Sequence, residues 1–336
     1  MSTMSRSLKE RLRRSKHALI AYKIFDNLRF KRRLSAGDSW SLHGSTHSLM
    51  LKDVSESVAY ITLQFDDYLR YSGLSPEQFK NKRVLELGYG DNVGVALRFL
   101  ASGVEQVVCL DKFSSQRDVE REVTIYRALR DTLSSEERRR FDEAISLEGD
   151  MQMNPDRLRC ISGMELETAI ESLAELSKPF DFIISRAVLE EIYNPDSLFA
   201  AADKVLASGG HMLHKVDLRD YGIFSEGGMH PLTFLTIPNS VYRLMSSHSG
   251  IPNRKLIAYY RDKVKALGYE AKIFITSTIG SGALAELRES VRAGVDYDES
   301  SRKLVAEIRS SLAGDFRNLP DEDLIVDGIF LVARKP

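Results

Sequence analysis

A strand, glycine loop, helix and strand pattern between residues 82 and 112 limits the folds open to this chain more than any other stretch. The segment reads KRVLELGYGDNVGVALRFLASGVEQVVCLDK, in which an apolar run leads to glycines at positions 88, 90 and 94. A helical pattern and a second apolar run then end at Asp111. This spacing predicts a β-loop-α-β unit whose glycine loop lets a ligand approach the backbone, with an acid placed for ribose hydroxyls.

Two classes of nucleotide ligand use this geometry, and Glu86 helps to distinguish them. The glycine spacing is G-x-G-x-x-x-G, and Glu86 lies two residues before the first glycine. A carboxylate beside a pyrophosphate would be repelled, whereas a carboxylate beside an α-ammonium group is attracted. The pattern therefore favours a zwitterionic amino-acid nucleoside over a dinucleotide.

The same stretch resembles motif I of the class I S-adenosylmethionine-dependent methyltransferases. The core of the motif is residues 86–90, Glu-Leu-Gly-Tyr-Gly, and Asn92 stands where many members carry a third glycine. The resemblance implies that S-adenosylmethionine is the cofactor. Its expected contacts in this part of the chain are Glu86, Gly88, Tyr89, Gly90, Asn92, Asp111 and Lys112.

The loop after the third strand flanks the adenine in the resembled family, and two registers are open for it here. In the first, an apolar strand around residues 158–161 leads into Ser-Gly-Met-Glu, which places Gly163 and Met164 beside the adenine. In the second, the Gly149-Asp150 pair takes that place. We prefer the first register because a strand precedes it directly.

The stretch 179–192, PFDFIISRAVLEEI, resembles motif IV of the same family, where the strand tip faces the methyl donor and acceptor. Ser185 and Arg186 are the expected contacts, and Arg186 could hold a substrate anion or form a surface ion pair. Members often show Leu-Glu-His after this strand, whereas this chain has Leu-Glu-Glu. We expect Glu190 and Glu191 on a helix, where adjacent side chains point apart, with one acid buried and the other solvated.

Alternating helices and apolar strands predict an α/β fold with a doubly wound, Rossmann-like and mostly parallel sheet. In the resembled family the last strand is antiparallel, and DGIFLVARKP would supply it. Insertions are expected at about 212–253 and 277–320, the second with helical patterns over 283–293 and 301–313. We expect one methyltransferase domain over residues 54–336, preceded by a basic extension and linker over residues 1–53.

The composition is ordinary for a globular protein, with 43% apolar and 28% charged residues among 336. No apolar run approaches the roughly 20 residues that span a bilayer, and no signal peptide is visible, so a cytoplasmic protein is expected. Cys109 and Cys160 lie in apolar runs and are expected to be buried thiols. Because no Cys/His cluster has ligand spacing, we expect no metal site.

The net charge of −1 hides a strongly basic start. Residues 1–36 hold eleven Lys and Arg residues against two acids, and residues 6–33 mix them with apolar residues at loosely helical spacing. A basic amphipathic helix can lie on an anionic membrane surface. It could instead pack on the domain or in a homodimer, or bind nucleic acid through phosphates, which we rank last.

Methyl transfer is an in-line displacement, and an oxygen acceptor often needs a general base near the tips of the fourth and fifth strands. The candidates there are His230, Asp217 and His214. We therefore expect methyl transfer to a small-molecule or glycan acceptor, on oxygen. The alternatives are a non-catalytic, cofactor-binding regulatory or assembly module and an RNA methyltransferase that uses the basic N-terminal arm.

Overall fold

The computed structural model describes residues 15–35, 53–114, 117–176 and 178–336, and the fold is built around one eight-stranded sheet. The strand order is β5-β2-β1-β6-β7-β10-β8-β9, and β3 and β4 form a separate hairpin. The strands are β1 Arg83–Leu87, β2 Gln106–Asp111, β3 Ile145–Ser146, β4 Gln152–Met153, β5 Leu158–Ser162, β6 Phe180–Arg186, β7 Leu206–Asp217, β8 Glu270–Thr278, β9 Gly282–Arg288 and β10 Val326–Arg334.

Helices cover both faces of the sheet. In chain order they are α1 Lys16–Ser35, α2 Val54–Ser72, α3 Gly94–Ser102, α4 Val119–Asp131, α5 Ser135–Ala144, α6 Leu166–Leu176, α7 Pro195–Val205, α8 Asn239–Ser246, α9 Ile257–Ala266, α10 Glu299–Ile308, α11 Gly314–Arg317 and α12 Asp321–Ile325. Within the described ranges, none of these helices is long and apolar enough to cross a membrane.

The sheet confirms the predicted doubly wound fold. Strands β5, β2, β1, β6 and β7 are parallel neighbours, and β10 is antiparallel to both β7 and β8. After β1 the chain adds β2 and β5 on one side of the sheet, and after β6 it adds β7 on the other side. The carboxyl ends of β1 and β6 therefore border the crevice in which such sheets bind ligands.

One predicted element is wrong. The pattern over residues 283–293 predicts a helix, but β9 occupies residues 282–288 and pairs antiparallel with β8. Gly280 and Gly282 have φ angles of +85° and +74°, which let the backbone turn tightly between the two strands. The turn places β9 on the open edge of β8, and the second predicted helix is present as α10.

Alternation along the strands divides the core between the two faces of the sheet. Phe182 and Ile184 pack on the face covered by α2, α3 and α4, whereas Ile183 packs on the face covered by α6, α7 and α9. At the end of β6 the same alternation sends Arg186 toward α2 and Ser185 to the other face.

Helix α2 brings the segment before β1 onto the site side of the sheet. Asp53 caps the helix through a capping box with Glu56, and Gly73 ends it in the left-handed conformation. Phe65 and Tyr68 are buried against the core, and the Phe65 ring meets Phe99 edge-on at 5.0 Å. These contacts fix the helix face that carries Tyr60 and Asp67.

Helix α1 is the described part of the predicted basic extension, and it packs on α8. Asn27, which is 2% exposed, donates from Nδ2 to the Leu244 carbonyl and the Ser247 hydroxyl, both at 2.9 Å. Its Oδ1 accepts from the His248 N–H at 2.9 Å. Residues 6–14 of the predicted amphipathic segment lie outside the described ranges, and the domain division at residue 53 stays a prediction.

Candidate active site

The loop after β1 is held close to the sheet and is open on its other side. Gly88 donates its N–H to the Leu110 carbonyl at 2.7 Å, and a Cβ on Gly88 would lie 2.3 Å from Cγ2 of Val188. Gly90 has a φ of +68°, and a Cβ there would meet nothing within 4 Å. A ligand can therefore approach the Gly90 backbone directly.

Contacts at the start of α3 explain why Asn92 can stand where many members of the resembled family carry a third glycine. The Asn92 Oδ1 accepts from the Gly94 N–H at 2.9 Å, and the Tyr126 hydroxyl accepts from the Val93 N–H at 2.8 Å. Gly94 is needed for packing, because a Cβ there would come within 2.3 Å of Ile61 on α2. Asn92 thus satisfies a helix N-terminal donor.

Asp111 joins the ends of β1 and β2. Its Oδ2 accepts from the Gly90 N–H at 3.0 Å, and its Oδ1 accepts from the Phe113 N–H at 2.8 Å. Burial raises the pKa of Asp111, and the two backbone hydrogen bonds oppose that rise. Each carboxylate oxygen keeps a further lone pair, so the group can still accept from ribose hydroxyls.

Glu86 is a buried acid near the end of β1. The Cys109 thiol donates to its Oε2 at 3.5 Å, and burial raises the pKa of Glu86 to about 7. A cation placed beside this carboxylate would favour its charged form. The chemistry of the position therefore suits the α-ammonium group of an amino-acid nucleoside.

The end of β5 carries the preferred adenine register. Ser162 pairs with Asp111 across the sheet, and the Gly163 N–H donates to the Asp111 carbonyl at 3.2 Å. Met164 is 40% exposed beside this edge. By contrast, residues 149–150 lie in the β3–β4 connection, outside the main sheet.

Two further predicted contacts flank that edge. The Lys112 Nζ lies 2.9 Å from Oε1 of Glu165, which ties the segment after β2 to the segment after β5. The Tyr89 side chain hydrogen-bonds Ser162, and burial raises the pKa of its hydroxyl. The predicted cofactor residues of β1, β2 and β5 are thus brought to one edge of the sheet.

The end of β6 carries two side chains that point to opposite faces. Ser185 Oγ and His214 Nδ1 are 2.7 Å apart, and both residues are buried. Arg186 donates to Oδ2 of Asp67 on α2 at 2.7 Å, with the Tyr60 hydroxyl as a further partner. Arg186 is therefore held by α2 and does not form a freely exposed surface pair.

Comparison with models of known protein families identifies the family of this chain. A model described as a methyltransferase domain matches residues 61–261, which is more than half of the chain. The chain belongs to this methyltransferase family. As motifs I and IV predict, it is a class I S-adenosylmethionine-dependent methyltransferase, and S-adenosylmethionine is its cofactor.

Solved structures of methyltransferases resemble the chain at low identity. The Bacillus cereus O-methyltransferase bound to S-adenosylhomocysteine is 15% identical, covers 86% of this chain and 94% of its own, and has a TM-score of 0.34. The Haemonchus contortus phosphoethanolamine N-methyltransferase 2 bound to S-adenosylmethionine is 14% identical, covers 100% and 61%, and has a TM-score of 0.40. No curated protein matches this chain.

Beyond β6, the methyltransferase has a turn where the sequence predicts the start of a helix. Residues 187–194 are not helical, and α7 begins only at Pro195. Asn253 holds the turn by donating from Nδ2 to the carbonyls of Leu189 and Ile192 at 2.7 and 2.9 Å. Ala187 has a φ of +54°, a strained conformation for a residue with a Cβ.

The turn buries Glu190 and leaves Glu191 half-buried, so the expected buried acid is present, whereas the second acid is not fully solvated. Glu190 Oε1 accepts from the Asp217 N–H and from the Tyr221 hydroxyl, both at 2.9 Å. Its buried Oε2 has no hydrogen-bond partner in the described part of the chain. Burial raises the pKa of Glu190 to about 7, and burial together with Glu190 raises the pKa of Glu191 to about 8.

Glu191 is close enough to Glu190 and to the predicted cofactor residues Asp111 and Lys112 to feel their charges. Its ionisation is influenced by Asp111 and Lys112 as well as by Tyr221. Its Oε2 would lie 3.6 Å from a Cβ on Gly250. Sequence reasoning missed Glu191 as a functional candidate, although the acid in place of the histidine that family members often carry was visible.

The three predicted bases are differently placed. Asp217 accepts from the Arg219 backbone and side chain at 3.0 and 2.9 Å. His214 is neutral, because burial lowers its pKa to about 3. His230 accepts at Nδ1 from the Leu232 N–H and donates from Nε2 to the Leu304 carbonyl, at 3.1 and 2.9 Å, so both ring nitrogens are occupied.

Lys215 is a second ionisable group that sequence reasoning missed. It follows His214 on β7, and burial together with Arg186 lowers its pKa to about 8. Its Nζ donates to Thr276 on β8, on the sheet face opposite His214. Across the described ranges, no cluster of three His, Cys, Asp or Glu side chains could hold a metal ion.

Proposed function

We propose that this methyltransferase transfers a methyl group to a hydroxyl oxygen of a small-molecule or glycan acceptor. The observation that supports this proposal is the acid turn, defined as residues 187–194, which holds Glu190 and Glu191 next to the cofactor residues. A hydroxyl is a weak nucleophile at neutral pH, and a positioned base typically contributes about 10²–10⁴-fold. A carboxylate with a raised pKa at this edge of the sheet suits that task.

The cofactor would lie across the carboxyl ends of β1, β2 and β5. Glu86 would face its ammonium group, Gly90 would offer bare backbone, and Asp111 would accept from ribose hydroxyls. Gly163 and Met164 would flank the adenine. When bound, S-adenosylmethionine supplies an electrophilic methyl group on a positively charged sulfur. Open space beside Gly90 supports this fit, as does the raised pKa of the buried Glu86, which a ligand ammonium would offset.

Glu191 would act as the general base. The bound cofactor would supply the methyl group to the acceptor oxygen, and its sulfur would keep the electron pair of the carbon–sulfur bond. The Glu191 carboxylate would take the hydroxyl proton of the acceptor. Tyr221 and Glu190 would position this group.

The other ionisable groups fit the role less well. His230 has no vacant ring nitrogen, and Asp217 is paired with Arg219. His214 can accept a proton only at the expense of its buried, neutral state. We therefore assign His214 and Ser185 to positioning at the tip of β6, and we place Arg186 near the acceptor, where its pairing with Asp67 sets its orientation.

Methyl transfer from S-adenosylmethionine with a labelled methyl group tests the proposal. The acceptor panel should include free sugars, sugar phosphates, lipid-linked glycans and simple amines, with mass spectrometry to locate the label. We expect label on a hydroxyl oxygen, strongly reduced in Glu191→Gln. Label only on amine nitrogen would reject oxygen transfer. Cofactor binding without turnover on any acceptor or cell extract would favour the regulatory module.

A further inference from the structure

Two helices that are far apart in the sequence form one exposed surface. Helix α1 packs on α8 through Asn27, whose side chain bonds the Leu244 carbonyl and Ser247. We call the outward side of these two helices the α1–α8 surface. It is defined by Phe25, Leu28, Arg29, Arg32, Arg243 and Leu244, all of which are exposed.

The α1–α8 surface presents large apolar side chains to solvent. Phe25 is 63% exposed, Leu28 is 52% exposed and Leu244 is 56% exposed. Phe25 and Leu28 are one helical turn apart, and Asn27, the residue before Leu28, donates to the backbone carbonyl of Leu244. Clustered apolar side chains of this kind mark an interaction site, whereas single exposed residues do not.

The same two helices are strongly basic. They carry seven Lys and Arg residues, and Asp26 is their single acid. Arg29 and Arg32 continue the helix stripe of Phe25 and Leu28, and all four side chains are exposed. On α8 the Arg243 Nε lies 3.1 Å from the hydroxyl of Tyr193, which is 47% exposed.

We propose that the α1–α8 surface docks the protein on an anionic lipid membrane. The apolar side chains would enter the boundary between headgroups and acyl chains, and the arginines would contact acidic headgroups. Tyr193 would lie at headgroup level, where tyrosine is enriched. A nucleic acid would also attract the arginines and could stack a base on Phe25, but Leu28 and Leu244 offer no stacking face to its bases. Lipid would bury all three apolar side chains, so the surface favours lipid.

The α1–α8 surface flanks the active site. The Phe30 ring of α1 meets the Phe113 ring after β2 edge-on, with centroids 6.1 Å apart. The His248 N–H donates to Asn27, and Gly250 follows two residues later beside Glu191. Docking through this surface would place the mouth of the site close to the membrane, where an amphiphilic acceptor could reach it.

Vesicle flotation with the full-length protein tests the proposal. We expect binding to vesicles of phosphatidylcholine with about one third phosphatidylglycerol, and little binding to pure phosphatidylcholine or at 1 M salt. Arg29→Gln and Arg32→Gln should each weaken the apparent affinity about fivefold. Phe25→Ala and Leu28→Ala, or Leu244→Ala alone, should weaken it several-fold.

Leu287→Ala is the matched control, because Leu287 is an exposed leucine on β9, the edge strand. It should bind vesicles as the parent protein does, and every variant should keep the parent affinity for S-adenosylhomocysteine. That second readout separates this proposal from the proposed methyl transfer. The docking proposal would be overturned if the protein did not float with vesicles, or if it bound single-stranded RNA and not vesicles. It would also be overturned if the protein did not bind vesicles and formed a dimer that Leu244→Ala dissociates.

Discussion

Asp111 accepts a hydrogen bond from the Gly90 N–H at 3.0 Å, so the last residue of β2 also holds the loop after β1. This relationship gives the carboxylate two tasks, because the same group is proposed to bind ribose hydroxyls. Loss of the carboxylate should therefore loosen the loop and remove ligand contacts together.

Asp111→Ala should weaken S-adenosylhomocysteine binding by about 10- to 100-fold, since hydrogen bonds to a charged group contribute about 1.5–3 kcal/mol. Isothermal titration calorimetry measures the change. Asp150→Ala is the control, because Asp150 lies in the β3–β4 connection and represents the other adenine register. An unchanged affinity in Asp111→Ala, or an equal loss in Asp150→Ala, would refute the assignment.

Gly88 and Gly90 should respond differently to a methyl group. Both have positive φ, so alanine costs about 1–2 kcal/mol of folding free energy at either position. At Gly88 the new Cβ also meets Val188, which adds about 1–3 kcal/mol. Thermal unfolding should rank Gly88→Ala as the less stable protein.

For ligand binding, we expect the larger effect at Gly90, because the space beside it is open. Gly90→Ala should remain folded but lose affinity for S-adenosylhomocysteine, because its methyl group enters space that is open in the protein. In the double variant Gly88→Ala with Val188→Ala, part of the stability that Gly88→Ala loses should return. If Gly90→Ala binds the ligand normally, the ligand does not approach that backbone.

Cofactor binding should release protons near neutral pH. The pKa of Glu86 is raised to about 7, so the group is partly protonated there, and an ammonium group beside it favours the carboxylate. Calorimetry of S-adenosylhomocysteine binding in buffers of different ionisation enthalpy counts the protons at pH 7. Glu86→Gln should abolish the release. Equal heats in all buffers for the parent protein would contradict this placement of the ammonium.

Glu191→Gln should change the pH dependence of catalysis. In the parent protein, kcat/KM should rise with pH as Glu191 deprotonates around its raised pKa of about 8. The variant should lose this limb along with about 10²–10⁴-fold of the rate. Glu148→Gln, at an exposed acid, is the control. If kcat/KM of Glu191→Gln still rises with pH in the same range, another group titrates, and Lys215 should be substituted next.

The same variant should alter stability in a defined direction. Between about pH 4.5 and 8 the folded state keeps a proton on Glu191 that the unfolded chain has released, so stability falls as pH rises through this window. Urea unfolding at pH 5.5 and 8.5 measures the fall. Glu191→Gln should reduce it, because glutamine has no proton to lose.

The Asp67–Arg186 pair should couple α2 to the tip of β6. Its side chains are only 14% and 20% exposed, so removing one partner should cost about 2–3 kcal/mol. In a cycle of Asp67→Asn, Arg186→Gln and the double variant, the single losses should exceed the double loss when added. The Lys204–Glu171 pair, with both side chains more than half exposed, is the matched control and should show at most about 1 kcal/mol of coupling.

Local patterns were sufficient for the fold and for the glycine loop at the end of β1. Glycine spacing and the acid positions predict the β1–α3–β2 unit, because a tight turn and a strand tip depend on residues within about thirty positions of one another. The strand before Gly163 is also present as predicted, and it pairs with β2. The helix expected over 283–293 failed because pairing with β8 overrides local propensity.

Only the tertiary structure decided which ionisable groups could act. Burial raises the pKa values of Glu190 and Glu191. That burial depends on distant parts of the chain, because Tyr221 is 31 residues from Glu190 and Asn253 is 64 residues from Leu189. His230 looked suitable by sequence position, but contacts with Leu304 occupy its ring. The sequence by itself determined the family, the sheet and the glycine loop, since these depend on local spacing. The proposed base and the α1–α8 surface depend on long-range packing, which a single sequence does not display.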